Sequence, residues 1–571
     1  MISGGQIIYN NLVRKNVKNV FLYSGGAIMP LIDCFYKGNI NYYINSNEQN
    51  GCHAAVGYAK STNKTGVMIT TSGPGITNCI TPILDSNNDS TPLVVLSGQV
   101  SLNTMGSCAF QESPATDITK PITKWSYCVK DINELDSVMD EAFFIANDKK
   151  KGAVHIDLPK CIISKKTKYV ENLENLEELK YEDDIFNLEI SNIINKSEKP
   201  ILYVGQGCNN YSEQLRYLID KYQIPITTTM HAMGVYDERK ELALQMCGMH
   251  GSYAANTALQ NADCIIAIGA RFDDRTTGLP SKYAPVARKN KSIIHCNIEK
   301  SEIDKNIKSN YSYNGDADLF INHLIKNLKV KNRKSWINQL NIWKNEHPFE
   351  FYNDKYNKLK TQNVLVEINK QTQKRDDIIY TFGVGNHLMM GCQFIDWKTP
   401  KSILASGSLG VMGCSIGYSI GAQIANLDKT VISIDGDGSF NMTLTDLKTI
   451  KEYNLPIKIA IINDSSLSMV RIWEKLFFEE RYTATNNPNN PDYVNLAKSF
   501  GINSISCDNI EDLEETIDEF LECKGPILCE FKVIGEECLP LVGPGKALDD
   551  MILFREYNNL NLDLSECEAP C

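Results

Sequence analysis

Three carboxylates stand where they could do chemistry. Asp437 lies in Gly436-Asp437-Gly438 at the end of the strand-like run TVISI, and twenty-four residues further on a second apolar run, IKIAII, ends in Asn463-Asp464. A strand, a helix and a strand in that order place two parallel strands side by side, so both aspartates can aim at one point. Oxygen ligands from two strand ends suit Mg²⁺, which takes a few carboxylates and completes its octahedron with water and phosphate oxygens. The glycines let backbone N–H groups approach those phosphates. An isolated Asp-Gly is a turn signal; the spacing and the flanking strands lift this one above a turn.

The third carboxylate is Glu48, in NSNEQNGCHAAVGYAK, where a strand ends and a helix begins. A helix N-terminus favours an acid there through its dipole, and a buried acid with an adjusted pKa is also what proton transfer needs. A further cluster holds His250 in GMHGSYAANTAL and Arg271, Asp274 and Arg275 in GARFDDRTTG. The chain has 47 Lys and only 11 Arg, so two Arg in one loop depart from its habit. An Arg pairs bidentately with a phosphate or a carboxylate, although the Arg-Asp-Asp-Arg loop reads equally as self-neutralising.

The elements that must position these residues fall into three blocks. From Gly5 to about Lys160, helical patterns alternate with NVFLYSGG, NYYINSNE, TGVMITTSGPG, PLVVLSGQ and GAVHIDLP. From Pro200 to Leu328 the rhythm returns with PILYVGQG, IPITTTM, DCIIAIGARF and KSIIHCNI, and from Ile378 to about Ile534 with DIIYTFGVG, KSILASGS, TVISIDGDG, IKIAIIND and PILCEFKV. That alternation is the mark of parallel sheets wrapped by helices. The expected fold class is α/β, with three doubly wound domains at 1–165, 190–330 and 365–550, a charged linker over 165–197 and a tail at 551–571.

At 571 residues several domains are required, and 43% apolar with 22% charged residues is an ordinary globular composition. The formal charge of -11 and the lack of a basic run exclude nucleic acid as a partner, and no apolar run reaches membrane-spanning length. Eighteen Cys without a CxxC pair read as reduced thiols, mostly buried. The opening MISGGQIIYNNLVRKNV enters an apolar helix pattern directly, which is read as no leader and a cytoplasmic protein, with a plastid-encoded origin left open.

The GDG block followed by Asn-Asp resembles the thiamine diphosphate motif of the enzymes that hold that cofactor through Mg²⁺. YSGGA, EQNGCHAAVGYAK, TSGPGITN, SGQV, AFQES, ITKWSY and HIDLPK, in order and over nearly the whole chain, narrow the resemblance to the acetolactate synthase (acetohydroxyacid synthase) family. The first block is then the pyrimidine-binding domain, the second an FAD-type domain and the third the diphosphate-binding domain. The resemblance implies decarboxylation of pyruvate on thiamine diphosphate and condensation with a second 2-keto acid, pyruvate or 2-ketobutyrate, opening branched-chain amino-acid synthesis. Another decarboxylase or carboligase with a different acceptor, or a paralogue that has lost turnover, are the alternatives. The implied cofactors are thiamine diphosphate, Mg²⁺ and FAD. The implied assembly is a homodimer or homotetramer, with a regulatory small subunit left open.

Residue by residue, the resemblance makes Glu48 the acid on the aminopyrimidine, with Gly26, Phe110, Gln111 and Lys124 around the reacting centre; Phe110 reads equally as core and Lys124 as a solvated charge. Val384, Gly385, Asn386, His387, Gly410, Met412, Gly436, Gly438, Ser439 and Met469 would cradle the cofactor. Asp437, Asp464 and Ser466 would hold the metal. Gly205, Gly207, His250, Gly269, Arg271, Arg275 and Asn297 would line the flavin, and Asp274, Arg275 and Trp473 would meet the substrate. The chain departs from the family pattern at Asp464 (usually Asn), Ser468 (Gly), Gly417 (Pro), Asn386 (Gln) and Asn297 (Asp).

Overall fold

The structure is a computed structural model and describes residues 1–169 and 184–559. Most of the charged half of the expected linker, and all but the start of the expected tail, lie outside the described residues. Three six-stranded sheets, every neighbouring pair parallel, make up the body of the chain. The first contains β1 (Asn19–Leu22), β2 (Asn41–Ile44), β3 (Gly66–Thr70), β4 (Leu93–Gln99), β5 (Trp125–Cys128) and β6 (Ala153–Pro159), in the order β2-β1-β3-β4-β6-β5. The second contains β7 (Pro200–Val204), β8 (Ile226–Thr228), β9 (Ala243–Met246), β10 (Cys264–Ile268), β11 (Ile293–Asn297) and β12 (Tyr311–Asn314), in the order β9-β8-β7-β10-β11-β12. The third contains β13 (Ile378–Phe382), β14 (Ile403–Leu404), β15 (Thr430–Gly436), β16 (Lys458–Asn463), β17 (Asn503–Cys507) and β18 (Ile527–Lys532), in the order β14-β13-β15-β16-β18-β17.

The apolar runs become the central strands because helices cover both faces of each sheet and leave no polar side to alternate. Val94, Val95 and Leu96 on β4, and Ile265, Ile266 and Ala267 on β10, are all fully buried. The first and third sheets share one strand order, while the second has the order of a dinucleotide-binding fold. In open sheets of this kind ligand loops collect at the carboxyl edge, where the winding reverses. The reversals fall between β1 and β3, β7 and β10, and β13 and β15.

The first and third domains share one core besides the one each has of its own, and in it Phe21, Ala54 and Val95 join Ile416, Ile420 and Ile459. Its centre is the contact of α1 (Glu48–Ser61) with α3 (Cys414–Ala425); between them in the chain lies α2 (Asn386–Phe394). Glycine makes that contact close. A Cβ on Gly421 would lie 1.9 Å from the Ala54 carbonyl oxygen, and one on Gly57 would lie 2.4 Å from the Tyr418 backbone. The stretch after β18 crosses to the second domain, where Val542 and Leu548 enter its core. Among the described residues no helix is long and apolar enough to cross a membrane, and none of the sixteen described Cys is joined in a disulfide, most of them being buried.

Gly421→Val should push the two helices apart and cost about 1–3 kcal/mol or more. A large fall in the thermal midpoint, with Gly26→Ala unchanged because a Cβ there meets nothing within 4 Å, is the expected result of differential scanning fluorimetry.

Candidate active site

Asp437 begins α4 (Asp437–Phe440) just beyond β15, and Asp464 follows β16, so adjacent parallel strands deliver both carboxylates to one edge. Asp437 is buried, and its Oδ2 accepts from Asn487 Nδ2 at 2.9 Å and Asn490 Nδ2 at 2.7 Å. Asp464 Oδ1 accepts from the Ser466 backbone N–H at 3.1 Å and its hydroxyl at 3.0 Å, while Oδ2 accepts from the Ser468 hydroxyl. The two positions that depart from the family pattern, Asp464 and Ser468, therefore bind each other. Burial raises both carboxyl pKa values, and for Asp437 the facing Asp464 charge adds to it. Neutral amides and hydroxyls stabilise the pair without cancelling its charge, and that donor set fits a divalent cation.

The cradle around this pair comes from the reversal point beside it, between β13 and β15. Gly436 leaves room for His387, since a Cβ there would lie 3.0 Å from Nδ1. His387 is buried, its pKa pulled down to about 4 by burial, and its Nε2 lies 3.6 Å from Asp435 Oδ1. Asp435 is itself pushed up to about 7 by burial. Asn386 donates to the Glu536 carbonyl at 3.4 Å, and its buried Oδ1 has no partner. Ser439 accepts from the Gly413 N–H at 2.8 Å and so fixes the turn after Met412, whose Cε would lie 3.8 Å from a Cβ on Gly438. A cavity of about 1030 Å³ is lined by Val384, Gly385, Gly410, Met412, Met469 and Trp473.

The same cavity runs on to the carboxyl edge of the second sheet, where Gly205, Gly207, His250, Gly269, Arg271, Asp274, Arg275 and Asn297 line it. At that reversal point the loops after β7 and β10 touch through glycine: a Cβ on Gly205 would lie 2.2 Å from the Gly269 oxygen, and Gly269 has φ +61°. His250 Nδ1 is 3.1 Å from the Cys538 carbonyl oxygen, and burial lowers its pKa to about 4. Arg271 bridges domains, donating to the Asn88 carbonyl and the Ser408 hydroxyl at 2.7 Å each. Arg275 is exposed and 3.8 Å from Asp274. Asn297 donates to the Ala270 carbonyl at 3.0 Å and accepts from the Glu299 N–H at 2.9 Å. The volume of this cavity and its dinucleotide-type loops fit a flavin nucleotide.

Glu48 opens α1, capped by Asn47, which accepts from the Asn50 N–H at 2.9 Å. Its Oε2 accepts from Asn78 Nδ2 at 2.9 Å. Gly26 is exposed on the same carboxyl edge, Phe110 is 89% exposed, and Gln111 is held at φ +61° against Gly73. None of these lines the cavity. The first domain reaches the cavity with its opposite, amino edge, through Ser90, Thr91 and Pro92 just before β4.

Within the first domain, Lys124 stands apart from Glu48, Gly26, Phe110 and Gln111. It precedes β5 at the amino edge of the sheet and donates to the Asp148 carbonyl, whereas Glu48 is at the carboxyl edge. The lysine at that edge is Lys160, exposed just after β6 in the HIDLPK run. Sequence reasoning also passed over Asn78, Asn487 and Asn490. The NNPNN run at 486–490 was the available signal for the last two.

This combination of three parallel sheets, a paired-carboxylate edge and an acid at a helix head defines the class of thiamine pyrophosphate enzymes. The family models for the thiamine pyrophosphate enzyme N-terminal, central and C-terminal domains match residues 2–119, 189–324 and 383–531. The catalytic subunit of mitochondrial acetolactate synthase from Saccharomyces cerevisiae is 39% identical over 97% of this chain and 84% of its own length. Mitochondrial acetolactate synthase from Schizosaccharomyces pombe is also 39% identical, over 97% and 87%. The acetolactate synthase large subunit from Cyanidium caldarium is 36% identical over 96% of each chain. The chain belongs to the acetolactate synthase family of thiamine pyrophosphate-dependent enzymes.

Because both carboxyl pKa values are raised, the pair costs stability as pH rises through the ordinary carboxylate range and both ionise. Added Mg²⁺ should therefore raise the thermal midpoint more at pH 7.5 than at pH 5. Asp464→Asn should raise the cation-free midpoint and shrink the Mg²⁺ gain. An equal gain at both pH values would contradict this.

Proposed function

We propose that this chain decarboxylates pyruvate and joins the remaining two-carbon unit to a second 2-keto acid. Two pyruvates give 2-acetolactate and CO₂; pyruvate with 2-ketobutyrate gives 2-aceto-2-hydroxybutyrate and CO₂. The observation that carries the reading is the pair Asp437 and Asp464 at the carboxyl edge of the third sheet, with an acid, Glu48, at the head of a helix on the carboxyl edge of the first. When bound, thiamine diphosphate supplies a carbon that accepts the electron pair left by departing CO₂.

Asp437 and Asp464, with Ser466 beside them, would hold Mg²⁺. The loops at Gly385–His387 and Gly436–Ser439 would hold the diphosphate. Glu48 would hold the aminopyrimidine ring and exchange a proton with it, fixed for that task by Asn78. Met412 would support the cofactor from the cavity side. Arg275, which lines the cavity beside Asp274, suits an incoming 2-keto acid carboxylate, and Trp473, packed on Phe477 with ring centroids 4.9 Å apart, would size its side chain. FAD would occupy the far end of the cavity; the reaction has no net redox change, so its part is to shape the cavity.

Each first domain meets its own cavity with its amino edge, so Glu48 would serve the cofactor of a second copy, and the working unit would be at least a homodimer. Exposed Gly26 and Phe110, and Gln111, would complete that shared site. That the Saccharomyces cerevisiae relative is a catalytic subunit supports a separate regulatory partner, and thiols without disulfides support a reducing compartment such as the cytoplasm.

Glu48→Gln should lower CO₂ release from pyruvate by about 100-fold or more. Product analysis with pyruvate alone and with added 2-ketobutyrate should give the two hydroxy acids; acetaldehyde as the sole product, or an unchanged rate in the variant, would overturn the reading.

A further inference from the structure

A second pair of carboxylates is buried away from the metal edge. Asp85 and Asp89 lie one helical turn apart, on the helix Ile80–Asn88 and just past its end, and neither is more than 1% exposed. Asp89 is the more heavily used. Its Oδ1 accepts from the Ser408 N–H at 2.9 Å, and its Oδ2 accepts from the Gly407 N–H at 3.0 Å and Lys60 Nζ at 2.6 Å and faces His231 Nε2 at 3.2 Å. Its backbone carbonyl accepts from Gln206 Nε2 at 3.1 Å. Lys60 also donates to the Ala405 carbonyl at 2.9 Å and lies over the Tyr418 ring, 5.4 Å from its centroid. Asp85 accepts from the Ser406 and Tyr418 hydroxyls, and Ser406 in turn accepts from the Val411 N–H at 3.0 Å.

All three domains meet at this one carboxylate, and what it grips is the segment running from Ala405 to Met412. That segment follows the short strand β14 and has few sheet hydrogen bonds of its own. It nevertheless carries Gly410 and Met412 into the cavity. Lys60 sits in the last turn of α1, whose first residue is Glu48. Although burial opposes it, Lys60 first and His231 second hold Asp89 well below the usual carboxylate range. Burial and the Asp89 charge push Asp85 up to about 6.

We propose that Asp89, with Lys60 as its counter-charge, is a positioning residue that fixes segment 405–412, and so the Met412 wall of the cofactor cavity, through buried hydrogen bonds from a neighbouring domain. Asp89 does not touch the reacting atoms. Its hydrogen bonds from the Gly407 and Ser408 N–H groups set where the loop stands, and loss of the charge frees the loop without altering any group that would bind the diphosphate. The inference rests on the thiamine diphosphate reading above.

The test uses the full chain and three proteins: wild type, Asp89→Asn, and the double variant Lys60→Met/Asp89→Asn. The double variant leaves no unpaired buried cation and guards against a single variant that fails to fold. Binding of thiamine diphosphate with Mg²⁺ is measured by calorimetry, beside the thermal midpoint and the separate kcat and KM for pyruvate. The expected result is at least a tenfold weaker thiamine diphosphate affinity and a lower kcat in a folded variant, with KM for pyruvate within about threefold, since the keto-acid contacts are elsewhere. A folded variant that binds thiamine diphosphate as wild type does overturns the positioning role alone. Wild type that binds no thiamine diphosphate overturns the reading it rests on as well.

Discussion

One backbone-on-backbone contact organises the molecule, the seat of α1 on α3. Gly57, Gly417 and Gly421 remove the side chains that would hold the helices apart, so Ala54, Tyr418 and their neighbours meet at main-chain distance. Van der Waals attraction is strongest in such close packing, and rigid packing transmits position. The helix held this way has Glu48 at one end and Lys60 at the other. The contact therefore fixes the acid relative to the third sheet while bringing the Lys60–Asp89 pair against segment 405–412. Gly417, where the family pattern has Pro, belongs to the same contact: a Cβ there would lie 2.5 Å from His53 Cβ.

The two carboxylate pairs are opposite solutions to one electrostatic problem. Asp89 is ionised against Lys60 and His231 and satisfied on every side, and it serves to join domains. Asp437 and Asp464 receive only neutral donors, so their charge is left for a cation. A buried charge without a partner is costly, and that cost is what a binding site converts into affinity for the missing ion. Arg271 follows the first pattern, bridging Asn88 and Ser408 at the edge of the cavity it lines.

The three-sheet architecture was legible because strands buried on both faces must be continuously apolar, and the runs around β4, β10 and β15 are. Asp437 and Glu48 were legible because each sits where an apolar run stops and a helix starts. The strand orders were not, since sequence alone does not say that β7 lies between β8 and β10. Lys124 misled for a related reason: a lysine just before a strand and one just after it, Lys160, look alike in sequence, yet they stand at opposite edges of the sheet. The grip of Asp89 was invisible because its partners are up to 319 residues away in the chain.

The most direct test of the account mixes two inactive variants, Glu48→Gln and Asp437→Asn, under conditions that let subunits exchange. If the acid of one copy serves the metal edge of another, mixed dimers contain one intact site, and roughly a quarter of wild-type acetolactate formation should return, as two-fold symmetry requires. Mixed dimers that form yet stay inactive would contradict the shared site.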